Sequence, residues 1–124
     1  MSPSLDFVPK NPTESDNGRL IQVTGTGTGS AVDIATAISG TADNWDVIYI
    51  AAANVSSAEH LVTIEWGDTG TANEVKVLLP PYSGFWPIIP SLRLRDAATI
   101  SAYADAANVV NIYVDIDRLI GTID

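Results

Sequence analysis

The sequence contains no cysteine and only one histidine, His60, among its 124 residues. Without cysteine the chain forms no disulfide and offers no thiolate, and a single histidine supplies too few nitrogen ligands for a zinc site. The absence of cysteine fits a protein made in a reducing cytosol. We therefore predict that the protein binds no metal and no cofactor.

Basic residues are also scarce, because six Lys and Arg stand against fifteen Asp and Glu, for a formal net charge of −9. Such a surface repels nucleic-acid phosphates and anionic lipids, so we expect no nucleic acid and no membrane among the partners. No apolar run approaches the roughly 20 residues that span a bilayer. The N-terminus lacks the basic-then-apolar pattern of a signal peptide. These features predict a soluble protein made without export.

The glycine-rich stretch GTGTG, residues 25–29, resembles a phosphate-binding loop only superficially. No lysine follows its glycines at the P-loop spacing, and no GxGxxG opens an apolar helix. We interpret the stretch as a turn between strands. Elsewhere, no apolar pattern of helical period is long enough to predict a helix of about ten residues or more.

Alternation of apolar and polar residues, typical of β-strands, dominates the rest of the chain. Residues 45–55 are mostly apolar in both alternating sets, which predicts a central strand, and residues 61–66 and 74–79 predict a hairpin around the loop GDTGTAN. Residues 108–119 alternate again over their whole length. We predict an all-β fold, a single antiparallel β-sandwich or jelly roll of about seven or eight short strands.

Residues 1–18 differ from this pattern, because they are polar and contain three prolines. We predict an extended N-terminal arm over residues 1–18 and a β-sandwich domain over residues 19–124. The arm is either a frayed chain end or a segment that docks on a neighbouring subunit through Phe7 and Val8.

His60 is the natural starting point for a search for catalytic residues. It lies in the turn before a predicted strand, where we expect an exposed side chain. Serine catalysis requires a serine and a carboxylate to converge on it. Ser56 and Ser57 are close in sequence, but no G-x-S-x-G motif is present. We identify no catalytic residue and expect no enzymatic activity.

Paired carboxylates are a second place to look for chemistry. Asp115 and Asp117 are two residues apart on one predicted strand, so their side chains point the same way, and Asp46 could lie on another strand of the same sheet. Such pairs serve in glycosidases and in calcium sites. We interpret them as a solvated strand face, because no calcium-loop motif accompanies them.

Residues 80–90, PPYSGFWPIIP, combine four prolines with large apolar residues. Proline lacks the N–H that a β-ladder needs, so we expect this segment at a sheet edge or in a loop. An exposed apolar patch in such a place marks a contact site. The candidate interface residues are Phe7, Val8, Tyr82, Phe85, Trp86, Arg93 and Arg95.

Two blocks of the sequence, DVIYIAAANVSSAEHLVTIEWGDT and EVKVLLPPYSGFWPIIPSLRLRDAATISAYADAANVVNIYVDIDRL, resemble small accessory virion proteins of tailed bacteriophages. The shared pattern is a strand ending in a YIAAANVSS turn, an LVTIEWG strand, and a strand ending in PP before a glycine and an apolar segment. The elements ISAYA and ANVVNIYVDIDRL follow. The resemblance covers residues 45–119 and includes no catalytic signature.

This resemblance implies a capsid decoration, or cement, protein. Such a structural virion protein, made in the host cytoplasm, would bind the outer capsid surface as a homotrimer and stabilise contacts between subunits of the major capsid protein. One alternative is a carbohydrate-binding or host-recognition module of a head fibre or tail, in which Tyr82 or Trp86 stacks on sugar. Another is an enzyme that acts through Asp115 and Asp117.

Overall fold

A computed structural model describes the backbone of residues 4–10, 18–39 and 44–122 and the side chains of residues 18–39 and 44–119. Within these ranges the helical segments are two three-residue 3-10 turns, and no helix has the length and apolar character needed to cross a membrane. The strands are β1 (Ser4–Lys10), β2 (Ile21–Gln22), β3 (Val32–Thr36), β4 (Asn44–Asn54), β5 (His60–Glu65), β6 (Glu74–Leu79), β7 (Gly84–Leu94), β8 (Thr99–Ala104) and β9 (Val110–Thr122).

The strands form two antiparallel sheets. Sheet A has the order β1–β9–β4–β7, and the short β2 pairs with β9 beside β1; sheet B has the order β3–β8–β5–β6. Apart from the two-residue β2, eight strands build the fold. The predicted all-β sandwich is therefore confirmed, including the central position of β4 and the β5–β6 hairpin.

The core lies between the two sheets and consists almost entirely of aliphatic side chains. The alternation in β9 predicts which of its faces is buried, and the structure agrees. In β5 the residues between the core positions are buried as well, because Thr63 and Glu65 are covered by polar neighbours on the outer side of sheet B. The largest core side chains are Ile34, Ile48, Ile50, Ile64, Leu79, Ile89, Ile100, Ile112 and Ile116.

The proline-rich segment forms most of β7, the edge strand of sheet A. Pro87 and Pro90 lie in this strand, which agrees with the expectation that they occupy a sheet edge. The register with β4 shifts twice, and Ser91, at one of the shifts, has a φ of 83°. Such bulges twist an edge strand and hinder its pairing with another sheet.

Part of the N-terminal segment belongs to sheet A. The backbone of β1 pairs with β9 from Ser4 opposite Thr122 to Lys10 opposite Ile116. The side chains of the candidate residues Phe7 and Val8 lie outside the described residues. Deleting residues 1–18 would consequently remove an edge strand.

Candidate functional site

The outer surfaces of the two sheets differ in chemistry. On sheet B, Nζ of Lys76 donates to Oγ1 of Thr63 over 2.9 Å, and the hydroxyl of Tyr103 donates to Glu74 Oε2 over 2.7 Å. Lys76 also lies 5.4 Å from the centre of the Tyr103 ring. These polar groups satisfy one another, so this surface has the character of a solvated sheet face.

The outer surface of sheet A carries aromatic rings and prolines instead. Tyr113 of β9 packs edge-on against Tyr49 of β4 and Phe85 of β7, with ring centres 6.3 Å and 6.4 Å apart. Pro87 and Pro90 lie on β7 in the same region. We call the surface formed by Tyr49, Phe85, Pro87, Pro90 and Tyr113 the aromatic face.

Small residues beneath these rings let the aromatic face form. The register places Ala51 opposite Tyr113 and Ala53 opposite Phe85, and both alanine side chains are buried. Because alanine projects only a methyl group, large neighbours on the flanking strands can cover it. The run AAA in β4 thus builds a shallow apolar platform across three strands.

Exposed apolar residues concentrate around this platform. Phe85 and Tyr113 belong to it, and Tyr82 lies in the turn just before β7. Trp86 and Leu92 also lie on β7 but on the opposite side, because their register partners Ala52 and Ile48 face the core. Contiguous exposed apolar surface on a soluble protein marks contact with another molecule. The exposed large apolar side chains among the described residues are Leu20, Val55, Leu78, Tyr82, Phe85, Trp86, Leu92 and Tyr113.

Charged residues border the aromatic face. Arg93 of β7 and Asp117 of β9 are both register partners of Val47, so they flank it across the sheet. Arg95 packs over the ring of Trp45, with its guanidinium carbon 4.2 Å from the ring centre. Arg93 thus borders the face on β7, and Asp115 and Asp117 border it on β9.

Five of the seven candidate interface residues therefore have described positions near one sheet edge: Tyr82, Phe85, Trp86, Arg93 and Arg95. The sequence interpretation missed Tyr49 and Tyr113, which complete the aromatic face. A signal for both was present, because each is an aromatic residue on the non-core side of a strand.

The carboxylates considered for paired chemistry do not converge. Asp115 and Asp117 lie exposed on the outer side of β9, as the alternation predicts. Asp46 is in the same sheet, but it is fully buried and bonded to Arg118. Within the described residues, no three acidic or histidine side chains are grouped so that they could hold a metal ion.

An open groove of about 530 Å³ lies beside the β5–β6 and β7–β8 connections. Its floor includes the buried carboxylate of Glu65, which accepts hydrogen bonds from Ser101 Oγ at 2.7 Å and Thr28 Oγ1 at 3.0 Å. These two hydroxyls satisfy the carboxylate oxygens. Asp33 and Asp68 also line the groove.

His60 is not the exposed turn residue that its sequence position suggests. It begins β5, and its side chain is only 14% exposed. Its ring contacts Asp105 through Nδ1 and Ser56 through Nε2. Asp105 is 45 residues away in sequence, so no local pattern indicates this contact.

Among the described surfaces, the aromatic face is best suited by its composition and exposure to binding another molecule. It is apolar, exposed and bordered by charge, all of which favour a specific contact. Comparison of the chain with protein-family models, with curated proteins and with solved structures found no match.

Proposed function

We propose that this protein is a structural virion protein that associates into a homotrimer and binds the outer surface of a phage capsid, where it stabilises contacts between major capsid subunits. The single observation that carries the proposal is the aromatic face, which extends over β9, β4 and the edge strand β7. The assignment to a phage capsid depends in addition on the sequence resemblance over residues 45–119.

The composition of the aromatic face favours a protein partner. Tyr, Trp, Phe and Arg are the residues enriched in protein interfaces and in their energetic hot spots. Phe85 and Tyr113 of this face are exposed, and Arg93 is exposed on the same side of sheet A. A specific interface buries about 1,000 Å² or more in total. Along β7 the aromatic face extends from Phe85 through Pro87 and Pro90 to Arg93, the register partners of Ala53, Ala51, Tyr49 and Val47.

Backbone pairing between edge strands is a less suitable mode of association. Pro87 and Pro90 remove two N–H groups from β7, and the bulge at Ser91 interrupts its regularity. Both features discourage the addition of a strand. Association through side chains on the aromatic face avoids this obstacle. The net charge of −9 keeps free copies soluble and attracts a basic capsid surface.

Replacing Phe85 with serine should dissociate the trimer. Phe85 is 54% exposed and contacts Tyr113 at the centre of the aromatic face, and removal of an interface hot spot costs about 2 kcal/mol or more. The measurement is solution mass by light scattering after size exclusion, over a dilution series. Leu78→Ser is the matched control, because Leu78 is 50% exposed but lies on sheet B. A trimer that survives Phe85→Ser as well as Leu78→Ser would contradict the role of this face.

The capsid contact requires a second experiment. The protein is incubated with undecorated capsids of the phage that encodes it, and co-sedimentation and capsid melting temperature are measured. We expect saturable binding and a raised melting temperature. Absence of binding by the intact trimer would refute the capsid assignment, even if the trimer itself is confirmed. Point variants suit this test better than deletion of residues 1–18, because the deletion removes β1.

Carbohydrate binding is a second candidate function, favoured by the exposure of Tyr82 and Trp86. Aromatic rings at a surface can stack on sugar rings, and binding would then change the tryptophan emission. We would titrate a panel of bacterial surface glycans and compare wild type with Trp86→Ala. Unchanged emission with every glycan would eliminate this alternative. Saturable binding that Trp86→Ala abolishes would favour a host-recognition module over a capsid protein.

A further inference from the structure

Ser56, His60 and Asp105 form a continuous hydrogen-bonded chain at one end of the sandwich. Nδ1 of His60 lies 2.7 Å from Oδ1 of Asp105, and Nε2 of the same ring lies 3.2 Å from Oγ of Ser56. This is the order of nucleophile, general base and orienting carboxylate found in serine hydrolases. We propose that Ser56 is a nucleophile activated by His60 and that the protein hydrolyses small activated esters.

The hydrogen bonds around the chain favour the required proton positions. The backbone N–H of Leu61 donates to Oδ2 of Asp105 over 3.1 Å and fixes the carboxylate. Nδ1–H of His60 then donates to Oδ1, which leaves Nε2 as an acceptor for the hydroxyl of Ser56. The N–H of Ala58 donates to Oγ of Ser56 over 3.1 Å. That bond leaves the hydroxyl proton free for Nε2 and stabilises negative charge that develops on Oγ.

Two local elements hold the serine in place. Oδ1 of the buried Asn54 accepts the N–H of Ser56 at 2.9 Å, and the carbonyl of Ser56 accepts the N–H of Tyr82 at 3.0 Å. The backbone of Ser56 is thus fixed on both sides. A nucleophile held at a fixed distance from its base favours attack.

The position of Ser56 at the surface also determines the class of substrate. Ser56 is partly exposed, its neighbour Ser57 is exposed, and the side chain of Tyr82 is 70% exposed. The site lies in surface turns, so a small ester reaches Oγ directly from solvent. A good leaving group is needed, and aryl esters such as p-nitrophenyl acetate meet this condition.

The reaction has two balanced steps. Oγ of Ser56 attacks the carbonyl carbon of the ester, and the hydroxyl proton passes to Nε2 of His60. The bond between the carbonyl carbon and the phenolic oxygen then breaks, and that oxygen takes the proton from Nε2 and leaves as p-nitrophenol. Water then attacks the acetyl group on Ser56 and gives a proton to Nε2. Acetate leaves, Oγ recovers a proton, and one ester and one water become one acid and one alcohol.

The test uses the full chain and p-nitrophenyl acetate, with the release of p-nitrophenol and the site of acetylation followed by absorbance and mass spectrometry. We expect acetylation of Ser56. His60→Gln should slow it by about 100-fold, the lower range for a general base. Asp105→Asn, which acts through His60, should slow it by about tenfold or more and should abolish the downfield proton-NMR signal of the Nδ1 proton.

Ser57→Ala is the control, because Ser57 lies exposed in the same turn, where the ester can reach it. The described hydrogen bonds of the His60 side chain go to Asp105 and Ser56 and not to Ser57. Ser57→Ala should retain the wild-type rate, while Ser56→Ala should lose the acetylated product, with both variants checked for folding by circular dichroism. Acetylation spread over lysines and tyrosines, or a rate on Ser56 that His60→Gln leaves unchanged, would overturn the proposal. The chain of hydrogen bonds would then serve only to connect the turns.

Discussion

Replacing Arg118 with methionine is expected to destabilise the protein by about 3 kcal/mol, the lower range for removing one partner of a buried ion pair. The cause is the carboxylate of Asp46, which is 0% exposed. Nε and Nη2 of Arg118 donate to its two oxygens over 2.9 Å and 3.2 Å. Methionine keeps the bulk and apolar stem of the side chain but removes both bonds and the charge.

Asp46 accepts a third hydrogen bond, which explains why the pair matters for the whole fold. The N–H of Ile38, just after β3, donates to Oδ2 of Asp46 over 2.9 Å. Asp46 and Arg118 are register partners in sheet A, whereas β3 belongs to sheet B. The carboxylate therefore connects the two sheets, and a shift of Asp46 toward water would break that connection too.

Urea denaturation of wild type and Arg118→Met measures the effect as a change in the free energy of unfolding. Arg93→Met is the control, since Arg93 is exposed on β7 and its loss should change stability by no more than about 0.5 kcal/mol. The double variant Asp46→Leu/Arg118→Met should recover part of the loss, because no buried charge remains. If Arg118→Met and Arg93→Met were equally stable, the burial of the Asp46 carboxylate would not depend on its ion pair with Arg118.

Strand positions could be predicted from the sequence because alternation is a local property. Residues of β4, β5, β8 and β9 change sides at every step, and the pattern needs only neighbours along the chain. The prolines of residues 80–90 likewise predicted an edge by a local rule, since a missing N–H cannot complete a ladder. Each of these interpretations depends on a short window of sequence.

The candidate sites depend on which strands become neighbours, and alternation does not determine that. The aromatic face requires β7, β4 and β9 to be adjacent, because Tyr113 meets both Tyr49 and Phe85 across strands. His60 meets Asp105 only because β5 pairs with β8. A lone histidine in a turn carries no sign of such a partner, which is why we expected it to be exposed.

The burial of two polar residues in β4 could nevertheless be predicted from the sequence. Asp46 and Asn54 are in phase with Ile48, Ile50 and Ala52 on the core side of β4. A polar group at a core position must have a hydrogen-bonding partner. The phase alone therefore predicts that both residues bond to something, although the partners, which lie on other strands and turns, follow only from the fold.

Replacing Asn54 with alanine is expected to cost about 3 kcal/mol, because several buried or partly buried backbone groups lose their partner at once. Nδ2 of Asn54 lies 2.8 Å from the carbonyl oxygen of Ala58, 3.1 Å from that of Pro80 and 3.3 Å from that of Leu79. Oδ1 accepts the N–H of Ser56. The side chain thus joins the end of β4 to its own turn and to the end of β6, in the opposite sheet.

Two further variants distinguish the effect of these particular hydrogen bonds from the effect of removing any side-chain amide. Asn73→Ala removes a similar bond, from Nδ2 to the carbonyl of Thr69, in an exposed loop, and should cost no more than about 1 kcal/mol. Asn54→Asp keeps the acceptor for Ser56 but points a carboxylate at three carbonyl oxygens, so it should destabilise at least as much as alanine. If Asn54→Asp were instead as stable as wild type, the donor bonds of Asn54 would have no share in holding the two sheets together.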